Sequence, residues 1–478
     1  MQDSAGSTLV LDIGKSNAKL VLIDAGGEVR ARAQRANAPG PSQWRGQTLP
    51  YLCLGVAALE TWLAEAIPAL VQGRHVERIS ITTHGAAFCA LGADGLALPP
   101  VDYEWDGYGE ERARFAAEVD AFEHNGSPLL PQGLTAGLQL HWLQRCLPQA
   151  WQQIRAWVPY PQYWAWWFSG VMASEVSSLG CHTALWSPRR GAFSDWACKR
   201  GIADLFAPLR PAWDVLGGVQ PALARRLDLP DDVQVHVGSH DSNACLARYL
   251  CRAKDATVLS TGTWTIAMAS GAPTAGLDDR HDQLVNVAVN GAPVPTARFM
   301  GGREFAALCA GADPGLADEQ SLRRLLAEGW VAHPAFVSSG GPFIGREGVV
   351  SRQGQVCPQG PLAVPTALRP ALASLYCAEV SALLLQQISG ASKADVIVEG
   401  PLADNPVFGL ALAALLAPRR LCRSSDPVEG TARGAWLLGR WPNAAAWQAG
   451  IDVLAEPEPP LARLICGHAA EALDDKGL

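Results

Sequence analysis

Two short segments, far apart in this chain, repeat one pattern: an apolar run, a turn of glycine and small polar residues, and a second run. The first is Ser7–Ile13, Gly14-Lys15-Ser16-Asn17 and Lys19–Asp24; the second is Thr257–Leu259, Ser260-Thr261-Gly262-Thr263 and Trp264–Ala269. Each reads as a strand, a glycine turn and a returning strand. A hairpin met twice points to an internal duplication, two similar domains that each aim a turn at one shared ligand. The expected boundary lies near residues 240 to 256, and the cut is drawn between 243 and 244.

Around these hairpins the chain alternates strands and helices. Val29–Gln34 continues the first hairpin as a third strand, a Pro/Gly-bearing loop follows, and Val56–Val71 is an amphipathic helix. Val76–Thr82 and Val233–Gly238 read as further strands, and Leu461–Leu478 as a short terminal helix with a charged end. The class is therefore α/β. A helical middle holds Trp142, Trp151, Trp157, Trp164, Trp166 and Trp167, expected mostly as core aromatics.

Length and composition set the limits. The 478 residues suit two cores, and 49% hydrophobic with 18% charged residues fills them, which excludes a disordered or fibrous chain. A net charge of −8 gives no basic footprint for nucleic acid. Phosphate is still allowed, because backbone N–H groups can hold it without a basic surface. The first residues carry no cationic stretch ahead of an apolar run, so no secretory signal is expected, and no apolar stretch reads as a membrane span. Twelve cysteines without a C-x-x-C pair argue for reduced thiols in a cytoplasmic protein rather than a metal centre.

Four elements carry candidate chemistry. In Asp12-Ile13-Gly14-Lys15-Ser16-Asn17, Gly14 permits close backbone approach, Ser16 can donate to phosphate, and Asp12 ends a buried strand where a carboxylate suits Mg²⁺. Ser260-Thr261-Gly262-Thr263 repeats that chemistry, and a triphosphate between two domains needs a cradle from each. In Gly238-Ser239-His240-Asp241-Ser242, Asp241 either caps a helix or takes the proton of an attacking hydroxyl. In Glu399-Gly400-Pro401 to Asn405-Pro406, a glycine turn could lie against adenine, while Asn405 also fits a plain helix cap. The small residues Gly430–Ala435 open a helix that could pack near the base.

The order of these motifs resembles the FGGY carbohydrate kinases of the actin-like ATPase superfamily over essentially the whole chain. Val237-Gly238-Ser239-His240-Asp241 followed by Leu259-Ser260-Thr261-Gly262-Thr263-Trp264 is its most specific part, and the His-Asp pair is most similar to rhamnulose- and fuculose-type kinases. The resemblance implies two ribonuclease H-like domains with the active site in the cleft between them. Residues 1–243 would be the sugar and phosphate side, and 244–478 the nucleotide side. It implies ATP and Mg²⁺, with Asp241 as catalytic base and Asp12 and Asp241 near the metal. Gly14, Lys15, Ser16, Thr261, Gly262 and Thr263 would stand at phosphates, and Gly400 and Asn405 near the adenosine. His84, Gly85, Tyr103, Trp105 and His240 would face the sugar. The chain departs from the family at Lys15, where Thr is usual, at Gly400-Pro401, where a double glycine is usual, and at Gln139, where Lys is usual.

The expected activity is ATP-dependent phosphorylation of a ketose, of the L-rhamnulose, L-fuculose or pentulose type, on a primary hydroxyl. Two alternatives stand beside it: a kinase for glycerol or a sugar acid, and a non-catalytic actin-like ATPase module. The expected partner is a small sugar, with no nucleic acid or membrane, and a homodimer is allowed.

Overall fold

The computed structural model describes residues 6–473 apart from 254, 339, 391, 427–429 and 442–449. The chain divides into two units. One takes Met1–Arg252, Val285–Pro293 and Val428–Trp447; the other takes Ala253–Leu284, Val294–Pro427 and Gln448–Leu478. The cut drawn at 243/244 falls inside the helix Asp241–Leu250, whose whole length stays with the first unit.

In the first unit a sheet runs Val215–Gly217, Gln234–His236, Val76–Thr83, Ser7–Ile13, Asn17–Ile23, Val29–Ala36, with Ser239–His240 also paired to Val76–Thr83. Ser7–Ile13 is buried at every position, as a strand covered on both faces must be, whereas Val29–Ala36 alternates half-buried and exposed at the sheet edge. The helix Val56–Val71 buries Val56, Leu59, Leu63, Ile67 and Leu70, three to four residues apart, in the same core. Leu63 and Ile67 have no exposure, and truncating either to Ala should cost about 2–5 kcal/mol.

The second unit repeats the topology. Pro293–Phe299, Thr265–Ala269, Thr257–Ser260, Val396–Glu399, Leu421–Ser424 and Ile451–Val453 lie side by side. In both sheets three antiparallel strands are followed by strands parallel to the first: Ser7–Ile13 with Val76–Thr83, and Thr257–Ser260 with Val396–Glu399. The repeated turns therefore occupy matching places, at the carboxyl end of each unit's first strand. Arg369–Ser389 is the one helix among the described residues long and apolar enough to cross a membrane, and 83% of its apolar window is buried in the structure.

Three local differences from the sequence reading stand out. The Pro/Gly-bearing stretch forms a hairpin, Gly40–Trp44 with Gln47–Cys53, that buries Ser42, Leu49 and Tyr51. The helix Gly430–Leu438 packs on Asp241–Leu250 in the first unit, so closely that a Cβ on Gly434 would stand 1.8 Å from the Ala244 oxygen. That packing accounts for the glycine at 434. The terminal helix is Pro459–Leu473, and the remainder of the stretch expected there lies outside the described residues.

Candidate active site

Three parallel strand ends set out the first unit's site. Asp12 pairs with Thr82 and Ile13 with Thr83 on one side; Ser239 pairs with Thr82 and His240 with Thr83 on the other. Asp12, His84 and Asp241 therefore emerge from neighbouring strands, whose spacing is about 4.8 Å. The carboxyl ends of parallel strands are where open α/β sheets bind ligands.

His240 is the N-cap residue of Asp241–Leu250 and is 5% exposed. Its Nδ1 lies 3.1 Å from Nδ2 of Asn243, and its Nε2 lies 3.2 Å from Oδ1 of Asp241 and 3.5 Å from Sγ of Cys181. An amide N–H can only donate, so Nδ1 accepts and Nε2 carries the proton, whose hydrogen-bond partner is Cys181 Sγ, with the Asp241 carboxylate close by. Burial holds His240 below the usual histidine range, and it stays neutral despite the Asp241 charge. Oδ1 of Asp241 also accepts from the Ser242 amide at 2.6 Å and its hydroxyl at 3.2 Å. These contacts all fall on Oδ1, which leaves Oδ2 to take a proton. Gly85 lies under the imidazole: an added Cβ would stand 2.9 Å from Nε2 of His240.

Behind this turn sits Glu175, with no exposure. Its Oε2 accepts from Ser177 Oγ at 2.5 Å, and that hydroxyl accepts from the His240 amide at 3.2 Å. Oε1 is buried without a hydrogen-bond partner, and burial pushes the Glu175 carboxyl up to about 7 from its ordinary 4.5. The folded protein then holds a proton that the unfolded chain releases above about pH 4.5. Stability contributed by this residue is highest below that pH, falls as pH rises, and levels off above about 7. At about 1.4 kcal/mol per unit, Glu175→Gln should be more stable than the unmodified protein at pH 8 by on the order of 1–3 kcal/mol, and level with it near pH 4.5. Chemical denaturation at the two pH values checks this; equal stability differences at both would place the titration elsewhere.

On the other side of the site, the ammonium of Lys15 reaches both carboxylate oxygens of Asp102 and lies 3.4 Å from Glu104 Oε2. It also stands 4.7 Å over the Tyr103 ring, which meets His84 edge-on at 5.5 Å. His84 Nδ1 donates to the Gly85 carbonyl at 2.8 Å, burial holds the ring below the usual histidine range, and Nε2 is left as an acceptor. The structure thus groups Lys15, His84 and Tyr103, and groups Gly85, His240 and Asp241. Trp105 stands apart, edge-on to Tyr51, Tyr108 and Trp142 in an aromatic core. Gly14 donates its amide to the Asn17 carbonyl at 2.9 Å, and Ser16 is exposed at the turn tip.

The second unit has its own cluster. Thr261 is 5% exposed and donates both its amide, at 2.8 Å, and its hydroxyl, at 2.7 Å, to the Glu399 carbonyl. Its donors are spent on joining two strands, and Gly262 and Thr263 are the exposed residues of the turn. Gly400 has φ +88°, and a Cβ there would stand 1.9 Å from the Thr261 oxygen, so only glycine fits. Asn405 caps Pro406–Leu416 by accepting from the Phe408 amide at 2.9 Å, and donates to Ser374 Oγ at 2.9 Å. Its side chain holds the helix.

Sequence reasoning gave no role to Asn243, Glu175 or Asn37, and named Asp102 only as the start of a loop that resembles the family's sugar loop, Asp102 to Asp106. Asn243 had a usable signal, a polar residue three places after a helix cap. Glu175 had none, and the pairing of Asp102 with Lys15 had none, because these partners are distant in the chain.

The model of the FGGY family N-terminal domain matches residues 7–247, and that of the carbohydrate kinase FGGY C-terminal domain matches 253–448. A carbohydrate kinase from Novosphingobium aromaticivorans is 34% identical, with a TM-score of 0.85 over 98% of this chain and 99% of that one. A ligand-bound xylulose kinase from Lactobacillus acidophilus shares the fold at 13% identity, with a TM-score of 0.79 over 98% and 97% of the two chains. The L-fuculokinase of Salmonella typhi is 28% identical over 273 residues, 54% of this chain and 56% of that protein. The chain thus spans about half the length of the curated relatives it matches. With both domain models in place and the same sheet topology in each unit, this chain belongs to the FGGY family of carbohydrate kinases.

Proposed function

We propose that this chain is a cytoplasmic kinase that moves the γ-phosphoryl group of ATP to a primary hydroxyl of a ketose, of the L-rhamnulose, L-fuculose or pentulose type. The observation that carries this reading is Asp241, with one carboxylate oxygen held by the Ser242 amide and hydroxyl and the other available, beside His240 over Gly85. An alcohol is a poor nucleophile until its proton is removed as it attacks, and phosphoryl transfer otherwise needs mainly positioning and charge neutralisation. Relatives named L-fuculokinase and xylulose kinase support a ketose acceptor. Twelve cysteines with no disulfide among the described residues support a reducing compartment.

Asp12 and Asp241 fit Mg²⁺, since that ion is held by one or two carboxylates together with substrate phosphates. The buried Asp12 ends the strand that leads into the phosphate turn. Mg²⁺ bound there with ATP would neutralise phosphate charge.

The test is ADP release across ketoses, polyols and sugar acids, with His240→Ala beside the unmodified enzyme. A ketose should be the best acceptor. Losing one hydrogen bond donor should raise its KM about tenfold and leave nucleotide affinity alone. An unchanged KM, or glycerol or gluconate outperforming every ketose, would remove the ketose reading and leave the family standing.

A further inference from the structure

A cavity of about 30 Å³ opens beside the first phosphate turn, and its polar lining is Lys15, Arg35, Asn37, His84 and Asp102, with Tyr160 alongside. That is room enough for a water or for one hydroxyl group of a ligand. The Arg35 guanidinium donates to the Ala58 carbonyl at 2.6 Å and the Ala36 carbonyl at 3.2 Å, so backbone contacts hold it in place. The other groups form a matched set. Lys15 is a donor fixed by Asp102, whose side chain is only 1% exposed, while Asp102 and Nε2 of His84 are acceptors. Asn37 donates to the Gly14 carbonyl at 2.8 Å, which leaves its Oδ1 buried with no hydrogen-bond partner. A buried acceptor left unpaired costs about 1–3 kcal/mol, and a ligand hydroxyl would recover it.

We propose that Lys15, Asn37 and Asp102 form a subsite for one secondary hydroxyl of the acceptor, and that Lys15 is a specificity residue for the sugar rather than a phosphate ligand. This rests on the sugar-kinase reading above. A phosphate would have to draw the ammonium away from two carboxylates and leave the buried Asp102 with only the Glu104 amide, at 2.8 Å, to offset its charge, a costly exchange. A hydroxyl needs no such exchange, because it can accept from Lys15 while donating to Asp102 or Asn37. The subsite favours an acceptor with at least one hydroxyl beyond the one phosphorylated.

The experiment measures acceptor KM, ADP affinity in the absence of acceptor, and the response to singly deoxygenated analogues of the best acceptor. It compares the unmodified enzyme with Lys15→Met and Lys15→Arg. Lys15→Arg keeps the ion pair and fills the cavity, so it reports even where Lys15→Met folds poorly. Both variants should raise acceptor KM about tenfold to a hundredfold, the range for a hydrogen bond to a charged group, with ADP affinity within about twofold. One deoxy analogue should lose that same factor on the unmodified enzyme and lose nothing further on Lys15→Arg. An unchanged acceptor KM, or weakened ADP binding with acceptor KM intact, overturns the proposal. If glycerol or a sugar acid proves the best acceptor, the ketose reading falls, and Lys15 is judged on that acceptor by the same measurements.

Discussion

Asp241→Asn should lower acceptor-dependent turnover by at least about a hundredfold, the usual scale for removing a general base, while ATP and ADP still bind. The substitution is close to isosteric. The Ser242 amide and hydroxyl donate to Oδ1, and the Asn oxygen can accept both, so the helix start survives. What disappears is the second carboxylate oxygen, replaced by an NH₂ group that cannot take a proton. His240 hydrogen-bonds Asn243 through Nδ1 and Cys181 through Nε2, and neither contact involves Asp241, so its tautomer is not disturbed. The loss should therefore appear in kcat, with acceptor KM moving much less. Near-normal turnover in a folded Asp241→Asn variant would remove this residue from the chemistry and leave it only a part of the helix's first turn.

The elements that position this site were legible where local pattern decides structure. The helix Val56–Val71 was read with its observed bounds, because five apolar residues at helical spacing have one way to face a core. The paired hairpins were legible because a buried strand ending at a glycine turn is a local event. The hairpin Gly40–Cys53 was not, since Pro41 and Pro50 read as loop; prolines are tolerated in a two-stranded sheet that is nearly all edge. Partnerships across the chain escaped reading altogether. Lys15 was expected at a phosphate, and its pairing with Asp102, 87 residues on, is a contact no local pattern could show. Asn405 and Thr261 show the converse. Both lie in the motif that marks the family, yet hydrogen bonds to Phe408, Ser374 and Glu399 give each a structural task.

Gly262→Val should weaken ATP and ADP binding at least about tenfold while leaving thermal stability and acceptor affinity nearly unchanged. Most glycines at sites of this kind cannot support such a test, because the side chain strains the fold itself. Gly400 is an example, with the Thr261 oxygen 1.9 Å from where a Cβ would sit. Gly262 differs. Its φ lies outside the left-handed region, it is exposed, and the nearest atom to an added Cβ is the Trp264 oxygen at 3.7 Å, an ordinary contact. A β-branched residue is therefore accommodated by the second unit in the absence of ligand, and strand ends suit such residues. The space it fills is the approach to the amides of residues 262 and 263, where Thr261 contributes no donor because both of its own go to Glu399. A phosphate held by turn amides must come within about 3 Å of the backbone, and an isopropyl group keeps it out. Nucleotide titration and thermal melts on one preparation separate the possibilities. Weakened nucleotide binding with an unchanged melting temperature assigns the turn to phosphate, whereas unchanged affinity in the folded variant would make it a strand connection only.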